Sequence, residues 1–248
     1  MISAIPARNE RIVGGSVTNI QRWPFAAVIL SGAGTVFRFH CGGSVINNRS
    51  ILSAAHCFEN HPPGRFQTRV GSTYSQSGGI VHTTQRFVNH PNYRLATMDS
   101  DLTVLRINGN FAFNNNVRAG SIAGPTYNIA DNQVVWAVGW GAIRVTNIRN
   151  DFGGPASPNL REVQIWTINL GICRQRYARR IFISDNMLCS GWLDRGGRDA
   201  CSGDSGGPLI HNNVIVGVTS FGYQCAHPNY PGVNVRVPRF TNWISSHA

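Results

Sequence analysis

Short apolar runs separated by clusters of Gly, Asn, Ser and Pro recur along the whole chain. Val28 to Leu30, Val45 to Leu52, Leu102 to Ile107, Val134 to Val138 and Val214 to Thr219 each read as a strand, since runs this short between turn residues favour sheet over helix. Val233-Asn234-Val235-Arg236-Val237 alternates strictly between apolar and other side chains, as a half-buried strand does. A helical pattern is confined to Ile172 to Arg180 and to the end, where Pro238 precedes Arg239-Phe240-Thr241-Asn242-Trp243-Ile244. The expectation is an all-β chain with a short C-terminal helix. No run approaches the ~20 apolar residues needed to span a bilayer. The longest, Phe25 to Leu30, reads as a single strand, so no membrane partner is expected. The chain of 248 residues suits one or two domains with ample core. It shows no repeats, low-complexity tracts or appended modules.

Only 13% of residues are charged, against about 25% in ordinary proteins, so Asn, Ser, Thr and Gly must supply much of the polar surface. The net charge of +11 raises nucleic acid as a partner, but the basic residues are scattered and lack interleaved stacking aromatics. No nucleic-acid partner is expected. The densest cluster, Arg174, Arg176, Arg179 and Arg180, reads as a solvated helical face. All 22 basic residues are arginine, and the 24 asparagines, whose codons resemble those of lysine, argue against base-composition bias as the cause. A lysine ammonium loses its proton near pH 10.4 whereas a guanidinium stays charged beyond about pH 12, so this composition points to a strongly alkaline fluid.

Cysteines at positions 41, 57, 173, 189, 201 and 225 allow fifteen pairings, which spacing alone cannot resolve. There is no Cys-x-x-Cys, no His-Glu-x-x-His and no clustered His/Cys spacing, so neither a metal nor a cofactor is expected and disulfides are. Disulfides imply an oxidising, extracellular setting. Residues 2 to 7 are too short an apolar stretch for a signal peptide and are broken by Pro6, so the leader is expected to be missing from this sequence. Asn48-Arg49-Ser50 matches a glycosylation sequon, a pattern frequent by chance.

The chemistry concentrates in Asp199-Ala200-Cys201-Ser202-Gly203-Asp204-Ser205-Gly206-Gly207-Pro208. A serine hydroxyl needs a base to remove its proton, and the oxyanion formed by its attack needs preorganised donors. Glycines at 203, 206 and 207 let the amides of Gly203 and Ser205 converge on one point. Ser53-Ala54-Ala55-His56-Cys57 follows the apolar pair Ile51-Leu52 and offers His56 as the base. Asp101, directly before the run Leu102 to Arg106, offers the carboxylate that fixes the imidazole; Asp99, two residues earlier, competes on chemistry and is assigned to the loop surface. These segments resemble the trypsin and chymotrypsin family, whose triad runs in the order His56, Asp101, Ser205.

The resemblance extends over residues 12 to 247 and implies two antiparallel six-stranded β-barrels with catalysis in the cleft between them. His56 and Asp101 would belong to the first and Ser205 and the pocket to the second, with a boundary near Gly120 to Asp131. Arg11-Ile12-Val13-Gly14-Gly15 resembles the family's activation junction: cleavage after Arg11 would release residues 1 to 11, and the new ammonium at Ile12 would pair with Asp204. Asp199 would floor a pocket walled by Ser220, Phe221, Gly222 and Gly232, implying cleavage after Arg and Lys. The implied disulfides are Cys41 with Cys57, Cys173 with Cys189, and Cys201 with Cys225. Three segments, Ile12 to Thr18, Phe113 to Ala119 and Pro231 to Val237, resemble digestive trypsins of insects, particularly lepidopteran larvae, whose guts are alkaline. No acidic residue lies between Asn60 and Met98, so the carboxylate calcium loop of vertebrate trypsins is missing. The implied partners are polypeptide substrates and protein protease inhibitors, met by a secreted monomer. Two other readings remain open: a catalytically silent homologue that binds partners, although such chains usually lose a triad residue and this one has all three, and a regulatory protease of identical chemistry.

Overall fold

The computed structural model describes residues 13–143 and 154–248. Arg11 and Ile12 of the expected activation junction lie outside the described residues. The first half of the chain forms β1 (Ser16–Val17), β2 (Ala26–Ala33), β3 (Val36–Val45), β4 (Ser50–Ser53), β5 (Phe66–Val70), β6 (Ile80–Asn89) and β7 (Thr103–Ile107). The second forms β8 (Ser121–Ile122), β9 (Val134–Gly139), β10 (Arg161–Ile168), helix α1 (Leu170–Tyr177), β11 (Met187–Gly191), β12 (Pro208–His211), β13 (Val214–Phe221), β14 (Gly232–Arg236) and helix α2 (Thr241–His247). Strands β2-β3-β4-β7-β6-β5 close one antiparallel barrel. Strands β10-β11-β14-β13-β12-β9 close the other, because β9 pairs with both β12 and β10.

Closure explains why short strands suffice: a barrel has no edge left to protect, and each strand needs only enough apolar residues to fill its share of the interior. In β5, Phe66, Thr68 and Val70 point inward while Gln67 and Arg69 do not. Phe58, Phe66, Phe87, Ile29, Leu52 and Leu105 pack inside the first barrel; Trp140, Leu160, Ile165, Leu209 and Val216 pack in the second, and the apolar clusters of the two barrels are continuous. A smaller cluster of Ile168, Cys173, Tyr177, Ile183, Met187 and Val233 seats α1 on the second barrel.

The apolar run Val45 to Leu52 is not one strand. β3 ends at Val45 and β4 starts at Ser50, with Asn47 Oδ1 accepting from the Arg49 amide at 2.9 Å in the turn between them. An Asx turn of this kind competes locally with strand pairing. The alternating stretch Val233 to Val237 loses its last residue to a single 3-10 turn, Val237–Arg239, because Pro238 fixes φ and lacks the amide a ladder needs. Helix α1 begins earlier and ends earlier than its sequence pattern, capped by Asn169, whose side chain accepts from the Ile172 amide. No described helix is long and apolar enough to cross a membrane.

Candidate active site

Register brings the first two site residues together. Strand β4 pairs antiparallel with β7, placing Ser53 opposite Thr103. The chain leaving β4 and the chain entering β7 therefore emerge at the same barrel edge. His56 sits three residues past Ser53 in the 3-10 turn Ala55–Phe58, and Asp101 sits two residues before Thr103. Asp101 is fully buried, and its Oδ1 accepts from the His56 amide at 2.8 Å. Its Oδ2 lies 2.7 Å from His56 Nδ1. A carboxylate oxygen there assigns the proton to Nδ1 and leaves Nε2 as an acceptor.

A contact that sequence reasoning missed comes from the second barrel: Ser220 Oγ donates to Asp101 Oδ2 at 2.5 Å. Ser220 also lines the pocket assigned to it from the sequence. No sequence signal marks the contact, because Ser220 follows another hydroxyl residue, Thr219, near the end of β13 and its burial emerges only with the fold.

Ser205 is held against the first barrel by backbone. The Gly42 amide donates to the Ser205 carbonyl at 2.8 Å. A Cβ on Gly206 would lie 2.2 Å from Ser53 Oγ and 2.5 Å from the Gly42 carbonyl, and the residue has φ +80°, so only glycine permits this approach. The Cys41–Cys57 disulfide lies between His56 and Ser205, with Cys57 Sγ 3.8 Å from His56 Nε2 and 4.0 Å from the Ser205 carbonyl oxygen. No hydrogen bond joins Ser205 Oγ to His56 Nε2 among the described residues, a separation often seen without substrate and tightened when substrate binds.

The amides around Ser205 divide into two groups. Those of Cys201, Asp204, Gly206 and Gly207 are satisfied internally, by the Asp204 carboxylate, the Cys201 carbonyl, the Thr219 carbonyl and the Asp204 carbonyl. Those of Gly203 and Ser205 donate to nothing among the described residues. Gly203 has φ +96°, which turns the chain so that these two donors remain free. Unpaired amides beside a serine are what a developing oxyanion requires.

Next to Ser205 opens a cavity of about 180 Å³ lined by Asp199, Ser220, Gly222 and Gly232. These are four of the residues that the sequence places there. Asp199 is 4% exposed, and burial pushes its carboxyl up to about 7 against the opposing hydrogen bonds from the Ala226 and Ala200 amides, with the nearby Asp204 adding to the rise. The Asp204 carboxyl is likewise pushed up by burial, to about 6, although the Cys201 and Gly141 amides donate to it. No cation pairs with either carboxylate among the described residues.

The pocket walls are tied to helix α1. Tyr177, buried in that helix, donates its hydroxyl to the Pro231 carbonyl at 2.7 Å and accepts from the Tyr223 amide at 3.2 Å, joining both walls through one oxygen. Of the arginine cluster read as a solvated helical face, Arg179 and Arg180 are exposed and lie past the end of α1, while Arg174, Arg176 and Arg180 also make contacts. Arg174 bonds Asp185, and Arg176 bonds Asp194 and Asn229. The Arg180 guanidinium stacks 3.5 Å over Tyr223 and 4.9 Å from Tyr230. The contacts of Arg176 with Asn229 and of Arg180 with Tyr223 and Tyr230 grip the loop 222–231, because a planar guanidinium both stacks on rings and forks to oxygens. Asp99, assigned to the loop surface, is half-buried and accepts from Ser184 Oγ at 2.7 Å and from Asn186 Nδ2 at 3.2 Å.

Six cysteines form Cys41–Cys57, Cys173–Cys189 and Cys201–Cys225. The cluster of His40, Cys41 and Cys57 has metal-like spacing, but both thiols are consumed by a disulfide and offer no thiolate.

The model of the trypsin family matches residues 12–244. The chain is 52% identical to alkaline trypsin A of Manduca sexta across its whole length and 94% of that protein. It is also 52% identical to trypsin CFT-1 of Choristoneura fumiferana, with the same coverage, and 45% identical to achelase-1 of Lonomia achelous over 96% of this chain and all of that protein. With two closed six-stranded barrels and a match that runs nearly end to end, the chain belongs to the trypsin family and is a trypsin-like serine endopeptidase.

Proposed function

We propose that this chain is made as a zymogen, cut after Arg11, and cleaves polypeptides after Arg and Lys as a digestive enzyme of an alkaline gut lumen. His56 takes the proton from Ser205 Oγ at Nε2 as that oxygen attacks the scissile carbonyl carbon. The oxyanion accepts from the Gly203 and Ser205 amides, each donor lowering the barrier by about 3 kcal/mol. Asp101 keeps the imidazole oriented and stabilises its cation. The same proton then passes from His56 to the departing amine, and water, deprotonated by His56, releases the acyl group and restores Ser205.

One observation carries the substrate assignment: Asp199, a buried carboxylate with no cationic partner among the described residues, closes a narrow cavity that opens beside Ser205. An apolar side chain would leave that charge unpaired, whereas a guanidinium or ammonium satisfies it, so discrimination is large. Asp204 supports the activation step in the same way. It is a buried carboxylate held by two amides, suited to a new ammonium at Ile12. Three disulfides support an extracellular setting, and relatives named as alkaline trypsins support the alkaline one. The working state proposed is a monomer that meets polypeptide substrates and protein protease inhibitors, and neither nucleic acid nor membrane.

The test is hydrolysis of matched arginine, lysine and phenylalanine amides before and after tryptic cleavage, beside Ser205→Ala. The cut protein should turn over the two basic amides and the variant should turn over neither. Equal turnover of the phenylalanine amide would overturn the specificity, and full activity of the uncut chain would overturn the zymogen.

A further inference from the structure

We propose that Asp99 is a positioning residue: through Ser184 and Asn186 of the second barrel it holds the turn that presents Asp101 to His56. The proposal rests on the roles given above to those two residues. The turn is unfavourable on its own. Met98 and Ser100, which flank Asp99, both have positive φ, +53° and +54°. Side-chain-bearing residues rarely adopt that conformation, and a strained turn persists only where its surroundings over-determine it. Within the turn, the Leu102 amide bonds the Ser100 carbonyl at 2.7 Å and the Arg94 amide bonds the Asp99 carbonyl at 3.2 Å. Neither bond fixes the turn against the opposite barrel.

Asp99 does that. Its Oδ1 accepts from Ser184 Oγ at 2.7 Å and from Asn186 Nδ2 at 3.2 Å, and its Oδ2 lies 3.3 Å from the same Asn186 nitrogen. The donors stand on a rigid platform: the Arg236 amide of β14 bonds the Asn186 carbonyl at 2.8 Å, the Ser184 hydroxyl accepts from the Asn186 amide, and β11 begins at the next residue. Two residues further along, Asp101 receives Ser220 Oγ from the same barrel. The segment carrying the base-orienting carboxylate is thus fastened to the nucleophile's barrel at two points, one of which bears no direct relation to the reacting atoms. Charge-assisted bonds from hydroxyl and amide donors are strong enough to hold such a turn.

The experiment uses the cut enzyme with one arginine amide and compares Asp99→Ala, Asp99→Asn and the pair Ser184→Ala/Asn186→Ala, with His56→Ala as control. In D99A kcat should fall about 10- to 100-fold, as expected when a catalytic group is displaced by about 1 Å. KM should stay within about twofold, because the pocket is untouched. D99N keeps an acceptor for Ser184 and should retain at least about a third of kcat. The donor-side pair should reproduce the D99A split, and it decides the matter should D99A fail to fold. Unchanged kcat in D99A, a loss that merely follows the unfolded fraction in a thermal melt, or a D99N as poor as D99A would each overturn the proposal. An active H56A would instead overturn the assignment of the base, leaving the two failures distinguishable.

Discussion

Burial pushes the Asp199 carboxyl up to about 7, well above its ordinary range near 4, so below about pH 7 the protonated acid is favoured. The sign of the linkage follows from that rise. A group whose folded pKa exceeds its unfolded value contributes stability below the unfolded value and loses it as pH climbs through the folded one, here from about 4 to about 7. A cationic ligand reverses the preference, because it binds the ionised form. Benzamidine, an aromatic amidinium, should therefore raise the melting temperature more at pH 8 than at pH 5. Asp199→Ser should abolish the shift at both values. An equal shift at the two pH values, measured by thermal melting at fixed ligand, would show that Asp199 does not titrate with binding. Gly232 belongs to the same balance: a Cβ there would lie 2.8 Å from Asp199 Oδ1, between the carboxylate and any entering cation. The pocket residues were legible in the sequence because they fall within or beside contiguous motifs. Ser220's bond to Asp101 was not, since the two are 119 positions apart and only the packing of one barrel on the other decides that they meet.

Elements were legible where apolar residues cluster in a short run, as in β7, β9 and β13, and illegible where pairing rather than burial defines them. β6 runs Ile80–Asn89 with only Thr84 buried, and it is a strand because β5 and β7 flank it. β10 opens on Arg161 and Glu162, a polar start that hides a buried strand. Glu162 is satisfied there by Trp23 Nε1 at 2.6 Å and Arg22 Nε at 2.9 Å, partners far away in sequence. Among the elements near the pocket, the Cys201–Cys225 bond ties the segment entering the Ser205 turn to the loop 222–231, across a separation of 24 residues. Cys173–Cys189 closes 16 residues and joins α1 to β11. By chain entropy each stabilises by about 3 to 4 kcal/mol. Replacing either pair with alanines should lower the melting temperature by a similar amount. Only loss of Cys201–Cys225 should also raise KM for an arginine amide, because only that bond borders the cavity. A KM unchanged in C201A/C225A would show that the α1 contacts of Arg176, Arg180 and Tyr177 alone keep the wall in place.

The charge of the whole molecule is carried by a single chemistry. With 22 arginines and no lysine, the cationic surface persists to a pH at which a lysine-based one would have been neutralised. Strong alkali would then reach the enzyme at another point. A free α-amino group titrates near 7.7 to 8.0, and in the proposed active state the one at Ile12 must remain charged beside Asp204. Ion pairing raises that pKa while burial lowers it. If pairing wins, as a buried Asp204 carboxylate with no cationic partner among the described residues favours, the pair's stabilisation is complete below about pH 8 and disappears only as pH climbs through the raised value. The cut enzyme should then keep most of its turnover of an arginine amide well above pH 9. Lysine amides should decline sooner than arginine amides as pH approaches 10.4, because the substrate's own ammonium begins to lose its charge in front of Asp199. A pH profile of kcat/KM for both amides from 7 to 11 measures the two effects together. Collapse of both profiles between pH 8 and 9 would place the limit at Ile12, and parallel profiles above pH 10 would show that Asp199 does not read the substrate's charge.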